Sequence, residues 1–209
     1  VGTPTASTDG ATKGYVDGFL SSLHFTGAGK LIQPNPMPGL SPAAGGQSAS
    51  GAGITFALPL WIDSNCTLAA IMCRVPMLEA SSYMRLGIYS ATYLPATDLS
   101  ASTTTKLLDL GTVSGASAGN VRLAGTQALT PGPHLLVAAQ PAAYTTVRWT
   151  RVNVTYAYLG FNSATNVPYT GWSVATDYSA GLPSSLPAMS LLAEGSTNGS
   201  MPFLGPEFT

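Results

Sequence analysis

Charge is what this chain has least of. Of its 209 residues, eight are Lys or Arg and nine are Asp or Glu, for a formal net charge of −1. That is about a third of the usual charged fraction of ~25%. A nucleic-acid binder shows a basic face and a polybasic membrane contact needs a basic cluster, so both classes are excluded. A lone monomer with so little charge risks self-association, whereas a subunit locked into a larger assembly tolerates it. Histidine is equally scarce, with only His24 and His134. A Ser-His-Asp system needs such a base, and no Gly-x-Ser-x-Gly elbow is present to hold a nucleophile. His24 ends a helix-like stretch where a cation complements the dipole, and His134 opens a strand beside Pro133 as a capping or interface residue. The nine acids are scattered. The paired carboxylates of a glycosidase, about 5–9.5 Å apart, would have to come from Asp63 with Glu79 or from Asp98 with Asp109. The reading is that the chain is no enzyme and takes no cofactor.

Cysteine is limited to Cys66 and Cys73. In an extended stretch a separation of seven puts them on opposite faces and roughly 23 Å apart at ~3.3 Å per residue, too far to bridge. Two buried thiols are expected, and with two distant histidines they make no zinc site. No apolar run reaches the ~18 residues of a membrane-spanning helix. Val1-Gly2-Thr3-Pro4 lacks the basic and apolar regions of a signal peptide. The chain starts at valine, so a longer polypeptide is expected to precede it. The sequon matches at Asn65-Cys66-Thr67, Asn153-Val154-Thr155 and Asn198-Gly199-Ser200 read as coincidence.

Glycine, alanine, serine, threonine and proline take the place of charge. Residues 34–53, with Pro34-Asn35-Pro36-Met37-Pro38-Gly39 and Pro42-Ala43-Ala44-Gly45-Gly46, read as a surface linker or arm draped on a neighbour. From Ile54 the chain reads as short strands: Ile54 to Ile62, Thr67 to Leu78, Tyr83 to Ser90, Lys106 to Val113, Val121 to Ala124 and His134 to Gln140. Fainter candidates are Val147 to Val152, Tyr156 to Phe161, Trp172 to Ala175 and Ala188 to Ala193. Met84, Leu86 and Ile88 alternate with Arg85, Gly87 and Tyr89, which gives one apolar face. Leu135-Leu136-Val137-Ala138-Ala139 is apolar throughout, as in a central strand covered on both faces. Pro131-Gly132-Pro133 reads as the turn before it. Short strands with turns between them predict an all-β fold, an antiparallel two-sheet sandwich with a jelly roll as the leading topology.

The N-terminal stretch is of another kind. Thr8 or Asp9 can cap a helix, and Val16, Phe19 and Leu23 then form one apolar stripe. Gly10 and Gly14 each cost about 1 kcal/mol against alanine, and so short a helix is marginal alone. The stripe needs a partner. Thr8-Asp9-Gly10-Ala11-Thr12-Lys13-Gly14-Tyr15-Val16-Asp17 resembles the Asp-x-Ala-Thr-Lys-x-Tyr-Val-Asp signature of bacteriophage tail fibres and related virion proteins. There the segment is a short helix that bundles with two copies of itself ahead of a β-rich domain. Arg85-Leu86-Gly87-Ile88-Tyr89-Ser90, Leu107-Leu108-Asp109-Leu110-Gly111-Thr112-Val113 and Leu129 to Gln140 resemble, in that order, the jelly-roll head of phage receptor-binding proteins. His134 stands where that family often has an aromatic. Gly181-Leu182-Pro183-Ser184-Ser185-Leu186-Pro187-Ala188 is similar to the family's closing segment.

The resemblance implies a homotrimer, with Val16, Phe19 and Leu23 at its interface. It divides the chain into a helical stalk at 1–24, a Pro/Gly-rich linker or arm at 25–53 and a sandwich head at 54–209. It implies an extracellular virion protein whose partners are its own copies, other virion proteins and a host surface polysaccharide or protein, without membrane insertion. Aromatics suit that role. Tyr144, Trp149, Tyr156, Tyr158, Phe161, Tyr169, Trp172 and Tyr178 crowd one span, with Arg148 and Arg151 among them. Flat rings suit sugar faces, and arginine supplies hydrogen bonds to hydroxyls or carboxylates. Residues 162–172 read as a loop, so Tyr169 and Trp172 lead the expected ligand contacts, followed by Tyr178, Arg148, Arg151 and Trp149. The same aromatics equally suit a core or a subunit interface. Two other readings remain at this point: a structural head-fibre, decoration or tail-body protein, and a carbohydrate-binding module of a secreted enzyme.

Overall fold

A computed structural model describes residues 47–49, 53–75, 83–94, 99, 102–116, 119–140, 148–150, 169–178, 180–193 and 204–209. Its strands are β1 (Gln47–Ala49), β2 (Thr55–Ile62), β3 (Cys66–Val75), β4 (Tyr83–Ala91), β5 (Thr104–Ser114), β6 (Gly119–Leu129), β7 (Gly132–Ala139), β8 (Arg148–Thr150), β9 (Tyr169–Val174), β10 (Ser190–Ala193) and β11 (Leu204–Phe208). A six-stranded sheet runs β10-β9-β2-β7-β4-β5, a three-stranded sheet runs β11-β3-β6, and β1 pairs with β8. Every pairing is antiparallel. The described part is all-β, a sandwich of two principal sheets. The expected helix at 1–24, with Val16, Phe19, Leu23 and His24, lies outside the described residues, as does the Tyr156 to Phe161 strand.

The winding is nested. β2 pairs with β7, β3 with β6 and β4 with β5. Six consecutive strands thus form one long hairpin whose middle pair, β3 and β6, lies in the other sheet. β4 then closes beside β7.

Alternation explains the core between the sheets. Phe56, Leu58, Leu60 and Ile62 of β2, Met84, Leu86 and Ile88 of β4, and Leu136 and Ala138 of β7 project from one sheet. Leu68, Ile71 and Cys73 of β3, Leu129 of β6, and Leu204 and Phe208 of β11 project from the other. Burial of such side chains at about 25 cal/mol per Å² is what drives the two layers together. β7 is buried from His134 through Ala139, as its unbroken apolar run predicts. Its second face, with Leu135, Val137 and Ala139, enters another cluster together with Tyr89, Leu99, Trp172, Leu182 and Met189. The outer face of the six-stranded sheet is therefore covered. Gly87 and Tyr89 are buried there, not exposed on the second side of a one-faced strand.

Other expectations are corrected. The arm carries a strand, β1, paired with β8. β6 runs well past Val121 to Ala124 because Gly125 and Gln127 interrupt its apolar row while keeping its alternating burial. A Cβ on Gly125 would come within 2.7 Å of Leu110 Cδ2, so glycine lets β6 approach β5 and close that side of the sandwich. β11 is a strand that the sequence reading did not include; it carries Gly205 and Pro206, an edge strand tolerates proline, and Leu204 and Phe208 still enter the core. Gly132 belongs to β7, where its φ of 130° starts the strand directly after Pro131. The cysteines share a face. The register shifts between Leu68 and Ala70, which turns β3 over, so Cys66 packs against the same core that contains Cys73. Both thiols are free, Cys73 buried and Cys66 half-buried.

Candidate functional site

Three of the four stretches that carry the head-domain resemblance, 85–90, 107–113 and 181–188, meet on the outer face of the six-stranded sheet. Residues 180–189 cross that face as a strap. Tyr89 donates its hydroxyl hydrogen to the Pro183 carbonyl at 2.6 Å, and Lys106 Nζ donates to the Leu182 carbonyl at 2.6 Å. The Lys106 backbone N–H donates to the Ser184 carbonyl at 2.8 Å. Farther along, the Leu186 N–H donates to Thr104 Oγ1 at 2.8 Å, and the Leu99 N–H reaches the Met189 carbonyl at 2.9 Å.

Asp109 is the centre of this arrangement. Its carboxylate accepts from Arg85 Nε at 2.8 and 3.0 Å, from the Gly111 N–H at 3.1 Å and from the Leu182 N–H at 3.2 Å. Gly111 has a φ of 86°, a conformation that suits glycine and aims its N–H back at the carboxylate. Burial pushes the Asp109 carboxyl up, but these hydrogen bonds outweigh it and hold the group below its usual value. Burial, then the nearby Asp109 charge, push the Tyr89 phenol up. The carboxylate is thus fully engaged in holding a strap, and its expected neighbour Asp98 lies outside the described residues, as does Glu79.

His134 is a core residue. It is 3% exposed, and its Nδ1–H donates to the Gly132 carbonyl at 3.1 Å. Burial pushes its pKa down, so the ring is neutral near pH 7. On the outer face of the three-stranded sheet, Arg122 forks onto Glu207 at 2.6 and 2.9 Å. The hydrogen bond holds the Glu207 carboxyl below its usual value. Among the described residues no group of three or more His, Cys, Asp or Glu is placed to hold a metal ion.

The expected ligand contacts separate. Trp172 was expected on a surface loop; it lies in β9 and is 0% exposed, packed in the second cluster. An aromatic in a strand next to β2 fills the cover of the sheet, and a fully buried ring cannot stack on a sugar, so that expectation is corrected. Tyr178 is half-buried against the same cluster. Tyr169 opens β9 and does not sit in a loop. Arg148 and Trp149 lie in β8 beside β1. Arg151 lies outside the described residues, as do Tyr144, Tyr156, Tyr158 and Phe161.

Two residues the sequence reading passed over stand out. Trp61 is 61% exposed and Tyr93 47% exposed, while Phe56, Tyr89 and Phe208 are buried. The signal for Trp61 was present: it falls out of phase with Leu60 and Ile62 on one strand. Tyr93 follows β4 where no alternation remains to be read.

No family model, no curated protein and no solved structure matches this chain.

Proposed function

We propose that this chain is the distal head of a bacteriophage tail fibre, a homotrimer that attaches the virion to a glycan on the host cell surface. The observation that carries the reading is the Ala11-Thr12-Lys13-Gly14-Tyr15-Val16-Asp17 segment, followed by a β-sandwich in which the resembling stretches converge on one lock. Arg85, Gly87 and Tyr89 from the first, Asp109 and Gly111 from the second, and Leu182 and Pro183 from the closing segment are direct neighbours. Such contacts give those stretches one shared structural role in this chain. Three nested strand pairs wrapped across two sheets support a jelly-roll topology. The low charge supports a subunit made for an assembly. Non-enzymatic attachment through three copies needs only weak sugar sites, because sites linked on one rigid stalk gain avidity without new contacts.

Light scattering at micromolar concentration tests the trimer, and labelled protein on a panel of bacterial strains tests attachment. A trimer that stains some strains and not others is the expected result. A well-folded monomer, or a protein that labels none, overturns the reading. Replacing Val16 and Phe19 by aspartate should loosen the trimer while the sandwich still melts cooperatively.

A further inference from the structure

We propose that Trp61 and Tyr93 form an aromatic platform that stacks on the apolar face of a neutral sugar ring, an inference that rests on the adhesin reading above. Both residues lie at one end of the six-stranded sheet. Trp61 is opposite Pro133 of β7, and Ser90 of β4 is opposite His134. One strand therefore separates Trp61 from Ala91, about 10 Å across the sheet, and Tyr93 follows two residues on. Leu60 and Ile62 on either side of Trp61 are buried in the core, which fixes the backbone and turns the indole outward. Tyr93 is tied down as well. Its N–H donates to Ser102 Oγ at 3.4 Å, and that hydroxyl donates to the Tyr93 carbonyl at 2.8 Å. The Thr92 N–H donates to the Thr103 carbonyl at 3.0 Å. Rings held on a fixed backbone lose little conformational freedom on binding.

The surroundings select the ligand. Asn65 and Thr103 are exposed along the same end of the sheet, and they offer an amide and a hydroxyl to a hydroxyl-rich partner. A nucleic acid would need a basic face, and residues 61–65, 90–94, 102–105 and 130–134 at this end of the sheet include no lysine or arginine. A second protein needs about 800 Å² on each side, whereas the exposed large apolar residues described are these two rings alone. A pyranose matches their size and meets the polar rim with its hydroxyls.

The test uses the full chain on a printed array of bacterial O-antigens, capsular polysaccharides and wall teichoic acids. The strongest binder is then titrated against Trp61→Ala, Tyr93→Ala and, on the far sheet, Thr126→Ala. Loss of one ring should weaken binding about 5- to 150-fold, with melting temperature and oligomeric mass unchanged and Thr126→Ala binding like the parent. If the parent binds a polysaccharide and both ring variants bind within a factor of about two, the platform is overturned while the adhesin reading stands. If the parent binds no polysaccharide, the glycan reading fails and the platform with it. A change of oligomeric mass in Trp61→Ala would assign the ring to a subunit contact and also overturn the proposal. Should Trp61→Ala melt early, the surface residue Tyr93 carries the same test.

Discussion

Leu182 occupies the space that a side chain at Gly87 would need. A Cβ there would collide with Leu182 Cδ1 and come within 2.8 Å of the Leu108 carbonyl oxygen. Glycine weakens a central strand by offering nothing to pack, yet at this point its missing side chain is what lets the strap lie flat on β4.

Gly87→Ala should therefore destabilise the fold by about 1–3 kcal/mol, as overpacking does in a close-packed site. Urea denaturation gives the magnitude. Leu182→Ala in the same chain should recover only part of it, because the Leu108 carbonyl is backbone and cannot move aside cheaply. Full recovery would mean that the Leu182 methyl is the whole obstacle.

Asp109→Ala removes the acceptor shared by the Leu182 N–H, the Gly111 N–H and Arg85 Nε. A loss of about 1–3 kcal/mol is expected from the unsatisfied donors. Asp109→Asn should cost less, since an amide oxygen still accepts. Limited proteolysis locates the effect: cleavage within residues 180–189 should quicken before cleavage elsewhere.

Acid should weaken the sandwich in two stages. His134 has a folded pKa below its ordinary value, so the unfolded chain binds the extra proton first. Its contribution is complete above about pH 6.5 and is lost as pH falls through the lower folded value. Asp109 is also depressed, so its contribution is complete above about pH 4 and is lost as pH falls further. Denaturation midpoints measured across that range should show both stages. His134→Leu should flatten the upper one and Asp109→Asn the lower.

The thiols should differ in reactivity. Burial pushes Cys73 up to about 12, and burial also raises Cys66, which is less enclosed. Since the thiolate is the reacting species, an aromatic disulfide reagent should label Cys66 first and Cys73 only on unfolding. Cys66→Ser should remove the faster phase.

How far the fold could be read in advance follows from which residues report their surroundings. Met84, Leu86, Ile88 and the run Leu135 to Ala139 signalled their strands through period-two alternation or continuous apolarity, and both are buried as expected. The cysteine faces could not be read, because an irregularity at Leu68 to Ala70 leaves no mark in composition and inverts every face beyond it. The strap was equally hidden. Gly181-Leu182-Pro183-Ser184-Ser185 has turn composition, and what docks it is a set of long-range bonds to Tyr89, Lys106 and Asp109. Trp172 was placed on a loop for a related reason. An aromatic next to a turn-rich stretch reads as a loop residue, and only strand pairing shows which ring is covered.

Trp172 makes that last point measurable. It pairs with Ala57 on β2 and Leu191 on β10, and its ring joins Leu135, Val137 and Leu182 in the cluster beneath the strap. Trp172→Ala would remove the largest fully buried side chain among the described residues. The lost burial and the cavity left behind together cost about 3–5 kcal/mol for such a change. Trp172→Phe retains an aromatic ring and should lose less. The expected outcome is an early, less cooperative melt for Trp172→Ala, with the strap released and glycan or cell binding falling only in proportion to the unfolded fraction. A variant that melts like the parent but no longer binds cells would show instead that Trp172 reaches the ligand, and that the cluster beneath the strap opens to receive it.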